Sequence, residues 1–427
     1  MKSRILFISL AVVLALSVGL IGCDGNGDVV PEGQLLIGGS FPLTGPYPED
    51  GAAILEAFQN YAAWVNANHK VSPWGPSFPA GVVLNVTWMD DAASPPTAQT
   101  NYDTLMAAGL KVFRISGSAI ATAMLGVLEE DEVGATTMAS GPYLVTPRTA
   151  TIFTNYPIYT DQCASIADWF KETHTGNVTP YRVAYLTNNS FGQTLKTAEM
   201  NAYLTSIGYT VVEGCPAVPT VPATPAETAP MLLWCQTNNI DLTLGAMLVV
   251  GASRTMTEAD SQGIGWDLAY NMTIGLCSPA HLGIYLRDTG APGTVVGDGL
   301  VVAGSYPPWS DTSLGVEFCK DLMDDYGGGF VDTEHVMYQH GVVEAMIQVE
   351  AMRLAMINTG KQPAGLTSKD ILDQGFFQID DLDTKGILPT TITYGAGDVE
   401  GAEDVRLDQG QTGYDVYLGA YPLQHVY

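Results

Sequence analysis

Positive charge is scarce in this chain of 427 residues: 17 Lys and Arg stand against 45 Asp and Glu, for a formal net charge of -28. A surface this acidic repels phosphate backbones and anionic headgroups, so nucleic acid is excluded as a partner. The six cysteines show no C-x-x-C spacing of the kind that holds zinc. A G-x-S-x-G elbow, a P-loop and a G-x-G-x-x-G after a strand are also missing. None of the six histidines sits beside a serine or cysteine in a recognisable motif, which leaves little support for a hydrolase. We therefore expect no enzyme, no cofactor and no metal. His340 and Glu344 share one helix face, with His335 nearby, but a pair of that kind reads as a surface contact, since a catalytic zinc needs three protein ligands. Asp381-x-Asp383-x-Lys385-Gly386 opens like a calcium loop and then puts a cation where an oxygen belongs.

Long apolar stretches are confined to the beginning. Lys2 and Arg4 precede a largely apolar run from Ile5 to Leu20, followed by Leu20-Ile21-Gly22-Cys23 and a polar Asp24-Gly25-Asn26-Gly27-Asp28. This is the layout of a secretory signal. The tetrad resembles a lipobox, which implies cleavage after residue 22 and acylation (palmitate-type) of Cys23. The expected state is an exported chain, lipid-anchored and facing the periplasm or cell exterior; Asp24 resembles an inner-membrane retention signal. Loss of residues 1–22 removes Lys2 and Arg4 and no acid, so -28 becomes -28 - 2 = -30. The roughly 400 residues that remain exceed one hydrophobic core and imply about two domains. Beyond Cys23, the five cysteines Cys163, Cys215, Cys235, Cys277 and Cys319 leave at least one thiol unpaired. Cys215 and Cys235 are the candidate disulfide, because they bracket a loop rich in Pro and Thr.

After a linker over 23–34, hydrophobic periods of 2 and 3.6 alternate. Leu35–Gly38, Val82–Met89, Val112–Ile115, Ala135–Met138, Arg182–Leu186, Val211–Glu213, Leu244–Val250 and Met272–Ile274 read as strands. Between them, helical spacing appears at Ile54 to Val65, through Leu105 and Met106, and at about 163–173, 193–207, 228–238 and 255–263. The expected fold class is α/β, with parallel sheets covered by helices on both faces. Ligands in such sheets sit beyond the carboxyl ends of strands, against helix N-termini. The turns there read Pro42–Tyr47, Ser116-Gly117-Ser118-Ala119, Ala139-Ser140-Gly141-Pro142-Tyr143, Asn188–Gly192 and Gly251-Ala252-Ser253. Most place a hydroxyl beside a glycine, offering O–H and N–H donors at close approach.

The order of these elements resembles the type I periplasmic binding proteins that serve ABC importers, in particular the leucine/isoleucine/valine- and amide-binding branch. Ile37-Gly38-Gly39-Ser40-Phe41-Pro42-Leu43-Thr44-Gly45-Pro46 is similar to that family's opening strand and "PLTGP" turn; Asp90-Asp91, Ser116-Gly117-Ser118 and Phe191-Gly192 are further similar pieces. The resemblance implies two doubly wound lobes joined by three crossovers, with 35–154 plus 304–395 in lobe 1 and 155–303 plus 396–427 in lobe 2. It implies that a solute carboxylate meets Gly117, Ser118 and Ala119 and the turn of Ser140, Gly141 and Pro142. Cys277 falls where amino-acid-binding members carry an acid for the solute's ammonium. Asp50 stands where they often carry an aromatic, and is a candidate substitute. These departures count against branched-chain amino acids.

Tyr47, Phe191 and Trp309 are candidate walls for an apolar or aromatic solute. Ser253 is a further candidate, and Tyr338, early in a long helix running to about Asn358, is a candidate to reach the cleft through its hydroxyl. Plain core packing is the competing explanation for each aromatic. The expected function is capture of a small polar or carboxylate-bearing organic solute, amino-acid-like, an amide or an aromatic acid, by a monomer that passes it to an ABC permease. A sensor feeding a signalling receptor and a surface lipoprotein enzyme are the alternatives.

Overall fold

The computed structural model describes residues 32–145, 151–174, 180–265, 269–277, 300–304, 306–327, 335–396, 398–401, 404–411 and 414–424. The expected signal segment and the acylation of Cys23 lie outside them.

β1 (Glu32–Phe41) begins three residues earlier than its apolar run and pairs in parallel with β2 (Gly81–Asp90), Glu32 opposite Gly81 and Phe41 opposite Asp90. The connection is α1 (Pro48–Asn68), which opens on Pro48 with Glu49 and Asp50 in its first turn, where a fixed φ and negative charge suit a helix start. Its Ile54, Leu55, Phe58, Tyr61, Ala62 and Val65 are all buried, as helical spacing requires. Burial of each large side chain among them stabilises by about 1.5–3 kcal/mol. α2 (Pro95–Ala107) leads to β3 (Phe113–Ile115), α3 (Ser118–Glu130) to β4 (Ala135–Thr137), and β5 (Ile152–Thr154) completes a parallel trio in the order β3-β4-β5.

The chain then enters a second sheet through α4 (Tyr159–Thr173), β6 (Tyr181–Tyr185), α5 (Ala198–Ser206), β7 (Tyr209–Val211), α6 (Ala229–Thr237), β8 (Leu242–Ala246), α7 (Val249–Ser261), β9 (Thr273–Cys277) and β10 (Val301–Gly304). It returns to the first lobe as α8 (Leu314–Tyr326), α9 (Val336–Thr359) and α10 (Ser368–Gln374). A ribbon of β11 (Asp404–Gln411) and β12 (Tyr414–Pro422) goes back to the second sheet, adding antiparallel to β10 at the edge of the order β12-β11-β10-β9-β8-β6-β7. One core is drawn from Leu35 to Ile158 and from Tyr306 to Val399. The others are drawn from Tyr159 to Ala303 and from Val405 to Leu423.

α9 is buried nearly all round and crosses α1 so closely that a Cβ on Gly341 would lie 2.7 Å from Ala57 Cβ and 2.8 Å from the Ile54 carbonyl oxygen. Gly341→Leu would force the two helices apart. Three polar side chains are sealed in this core. The Arg114 guanidinium meets the Glu344 carboxylate at 2.8 Å with both side chains fully buried, and His340 Nε2 lies 3.2 Å from the other Glu344 oxygen. Burial works against the charge on Glu344, but Arg114 and His340 hold its carboxyl below the usual range. The His340–Glu344 pair thus lies fully buried beside Arg114, not at the surface as expected from spacing.

The crossovers are bound to one another. Thr154 donates its N–H to Val399 and accepts from Gly401, at 3.0 and 2.8 Å, and Asn155 donates through Nδ2 to the Tyr306 hydroxyl at 2.7 Å. That hydroxyl also lies 2.9 Å from His340 Nδ1, so two of the connections are hydrogen-bonded to a helix of lobe 1.

Three expectations are corrected in lobe 2. The apolar run read as a strand over Leu244–Val250 stops extending at Ala246, and Val249 already opens α7. Periodicity cannot separate a short buried strand from the start of a buried helix. Gly251-Ala252-Ser253 consequently lies inside a helix and is no turn. Cys215 and Cys235 are free thiols buried in the same apolar cluster, so the structure does not join them in the expected disulfide.

Candidate binding cleft

A cavity of about 210 Å³ opens between the lobes where the β-strands of both end. Its lobe 1 wall is made of two turns, with Ala93 and Met138 beside them. The first, after β1, is held by Asp90 at the end of β2, whose carboxylate accepts from the N–H groups of Leu43 and Thr44 at 2.9 and 3.2 Å and from the Thr44 hydroxyl at 2.7 Å. This clamp sets Pro46 and Tyr47 at the cavity and aims the start of α1, with Asp50, into it. The second turn, after β3, brings Ser116, Gly117, Ser118 and Ala119 to the surface of the cavity. Gly117 has φ 115, a conformation open only to glycine, and caps α3 without any side-chain partner for the helix N–H groups. The helix therefore presents donors and its positive end toward the cavity.

Beneath this turn the Ser116 hydroxyl is given to the buried Asp91 carboxylate, while its carbonyl accepts from Tyr47 at 3.2 Å. Burial and then the charge of Asp91 push the Tyr47 phenol up to about 12, so it stays a donor. The Tyr143 hydroxyl donates to the Ser118 carbonyl at 2.8 Å and closes the turn from behind.

The lobe 2 wall is of another kind. Tyr159 at the start of α4, Phe191, Met247, Leu248 and Cys277 supply rings, thioether and thiol, with Thr220 and Ser190 at the rim. The Tyr159 and Phe191 rings are 5.8 Å apart and tilted. Asn188 Oδ1 accepts from Ser190 and Gly192 N–H at 2.9 and 3.0 Å, which fixes the turn that carries Phe191. Cys277 ends β9 with its Sγ 3.2 Å from Cys163 Sγ. Across the cavity, Ser118 Oγ of the first lobe lies 3.4 Å from Tyr159 Oη of the second.

Seven of the residues singled out from sequence line this cavity: Tyr47, Asp50, Gly117, Ser118, Ala119, Phe191 and Cys277. Six do not. Trp309 packs on Tyr338 in the lobe 1 core, ring centroids 6.0 Å apart, and the Tyr338 hydroxyl is fully buried, accepting from Asn60 Nδ2 at 2.8 Å. Ser253 is buried in α7. The Ser140-Gly141-Pro142 turn braces the first crossover instead: the Ser140 carbonyl accepts from Tyr159 N–H at 2.7 Å, and Pro142 begins a single turn of 3-10 helix to Leu144. Tyr159, Met138, Met247, Leu248 and Thr220 were not foreseen. Tyr159 lies where a crossover runs into a helix, which was the one available signal. Among the described residues no group of three or more His, Cys, Asp or Glu side chains is placed to hold a metal.

Residues 34–388 match the family model of the periplasmic binding proteins. The chain belongs to that family. The resemblance read from Ile37–Pro46 is borne out, together with the two-lobed α/β fold. As a periplasmic binding protein the chain is an extracytoplasmic solute binder. Its fold is shared by a branched chain amino acid ABC transporter protein from Thermus thermophilus with bound valine, at 17% identity and a TM-score of 0.74, covering 93% of this chain and 98% of that one. A substrate binding protein of an ABC transporter from Aeropyrum pernix has 15% identity and a TM-score of 0.74, covering 92% and 97%. A fatty acid ABC transporter substrate-binding protein from Thermomonospora curvata has 17% identity and a TM-score of 0.71, covering 94% and 96%. No curated protein matches the chain.

Proposed function

We propose that this periplasmic binding protein is the solute-capturing component of an ABC importer, tethered by lipid on Cys23, which closes its two lobes on a small carboxylate-bearing organic solute and delivers it to a membrane permease. The observation that carries this is the division of the cleft: donors of the Gly117–Ala119 turn at an uncapped helix start on one side, and Tyr159, Phe191 and Met247 on the other. The first suits a carboxylate, since free N–H groups and the helix dipole favour an anion. The second suits an apolar body. Valine and fatty acids, associated with two structures of the same fold, share this combination of a carboxylate and an apolar body. The lobes of lobe 1 (35–154 plus 304–395) and lobe 2 (155–303 plus 396–427) would move about the crossovers at Asn155, Tyr306 and Glu400, a hinge motion around the bound solute.

Thermal-shift screening against amino acids, amides, aromatic acids and short fatty acids tests this. A true solute present at a hundred times its dissociation constant adds roughly 2.7 kcal/mol and raises the melting temperature. Absence of any shift across the panel, or chemical conversion of a bound solute, overturns the proposal.

A further inference from the structure

We propose that Cys163 and Cys277 are an oxidisable pair, which joins as a disulfide in the extracytoplasmic compartment and there ties together two elements of the cleft's second wall. The bond stands on the placement of the two thiols alone; only its meaning for the cleft rests on the reading of the cleft as a solute site.

Distance selects this pair. Cys163 sits in α4 one turn after Tyr159, Cys277 ends β9, and their Sγ atoms are 3.2 Å apart. A movement of about 1 Å brings them to the length of a disulfide, about 2.05 Å. A shared metal is a poorer fit, because two thiolates on one tetrahedral zinc, each about 2.3 Å from it, stand roughly 3.8 Å apart. The four thiols of lobe 2 also divide between its two apolar clusters. Cys163 and Cys277 share one with Tyr159 and Tyr185, while Cys215 and Cys235 share the other. Cys319 is buried in the core of lobe 1 and is the thiol that an odd number leaves over.

The oxidant is a protein or low-molecular-weight disulfide of the compartment. One thiolate of the pair attacks it to form a mixed disulfide; the second thiolate then attacks that first sulfur and expels the other half of the oxidant. The pair gives up two electrons and two protons, and the oxidant's S–S bond takes up both and leaves as two thiols. Burial seals both side chains and holds the Cys277 thiol well above its ordinary range, so thiolate is scarce once the chain is folded. The exchange therefore belongs to the stage at which the exported chain is still folding, and burial then shields the finished bond from reductants. Before oxidation, Cys277 Sγ donates to the Tyr159 carbonyl at 3.4 Å. The disulfide removes that S–H and replaces its weak hold on α4 with a covalent one. Tyr159 and Cys277 both line the cavity, so the bond fixes these two residues relative to each other and leaves Phe191, Met247 and Leu248 outside the tie.

Thiol mapping tests the pair without any solute. The whole chain is unfolded and reduced, refolded in a buffer of oxidised and reduced glutathione, alkylated, digested without reductant and read by mass spectrometry. We expect one peptide pair joined through Cys163 and Cys277, lighter by two hydrogens than the reduced peptides together, and an alkylated Cys319. Thermal unfolding supplies a second readout. The bond closes a loop of more than 100 residues, so the oxidised protein should melt about 5–10 °C above the reduced one, and Cys163→Ala should lose most of that gap. Cys163 and Cys277 both alkylated after refolding, or either one joined to a different cysteine, overturns the pair. A melting gap that survives intact in Cys163→Ala overturns the tie between α4 and β9. Each of these outcomes leaves the solute reading untouched, since that reading stands or falls by the binding panel.

Discussion

The two walls of the cleft differ in what supports them. Behind the lobe 1 wall lie sealed charges: Asp91 under Ser116, and Arg114, the residue two before that turn, locked to Glu344. Behind the lobe 2 wall lie thiols and rings, with Cys163 against Cys277 and Tyr159 beside Phe191. Charges and hydrogen bonds are directional, so a wall that rests on them holds donors at fixed positions. Apolar packing is not directional, so the opposite wall can fit bodies of varied shape. The contrast assigns recognition of polar ends to the first lobe and tolerance of the body to the second.

The largest expected effect breaks the support of the first wall. Glu344→Gln leaves the fully buried Arg114 without its counter-charge, and removal of one partner of such a pair costs about 3–5 kcal/mol. Urea denaturation should show that loss. It should also loosen Ser116 and Gly117, since Arg114 holds the end of β1 by donating to the Ser40 carbonyl at 3.2 Å. A cost below about 1 kcal/mol, the level of an exposed pair, would mean that the sealed charges do not support the wall.

Next in size is a test of the second wall. Met247 is buried at the cavity edge. Met247→Ala should weaken an apolar solute by about 2 kcal/mol through lost burial, appearing as faster release. Discrimination between a carboxylate solute and its amide should not change. If that discrimination collapses, the second wall contributes to recognition of the polar ends and the division between walls is wrong.

The same contrast explains what could be read from the sequence. The lobe 1 turns were legible because each is written locally: Pro42-Leu43-Thr44-Gly45 is clamped by Asp90, and Ser116-Gly117-Ser118 joins a strand to a helix through a glycine that no other residue can replace. Apart from Phe191 and Cys277, the lobe 2 wall is assembled from places with no local signature. Met247 and Leu248 hide in an apolar run whose period does not reveal where strand gives way to helix. Tyr159 reaches the cavity because a crossover delivers it there, and Thr220 arrives at the tip of the Pro-rich loop, where its hydroxyl donates to Asn189 Oδ1 at 2.9 Å. Trp309 and Tyr338 show the converse. An aromatic in a suggestive segment is placed by the packing of distant helices, here with Asn60 of α1, and nothing near it in sequence distinguishes core from cleft.

The smallest effect lies where the walls touch. Ser118 Oγ and Tyr159 Oη are 3.4 Å apart, a long hydrogen bond that spans the lobes. Burial holds the Tyr159 phenol above its ordinary range, so it remains a donor whatever the pH of the compartment. Ser118 has two uses available, to bridge the lobes or to meet the solute's carboxylate, and two variants separate them. Tyr159→Phe removes only the bridge and should shift affinity little, because a contact this long is weak. Ser118→Ala removes both and should weaken a carboxylate solute by about 1 kcal/mol, roughly fivefold. Equal effects from the two variants would assign Ser118 to closure alone and leave carboxylate recognition to the backbone N–H groups of the turn, which no side-chain substitution deletes.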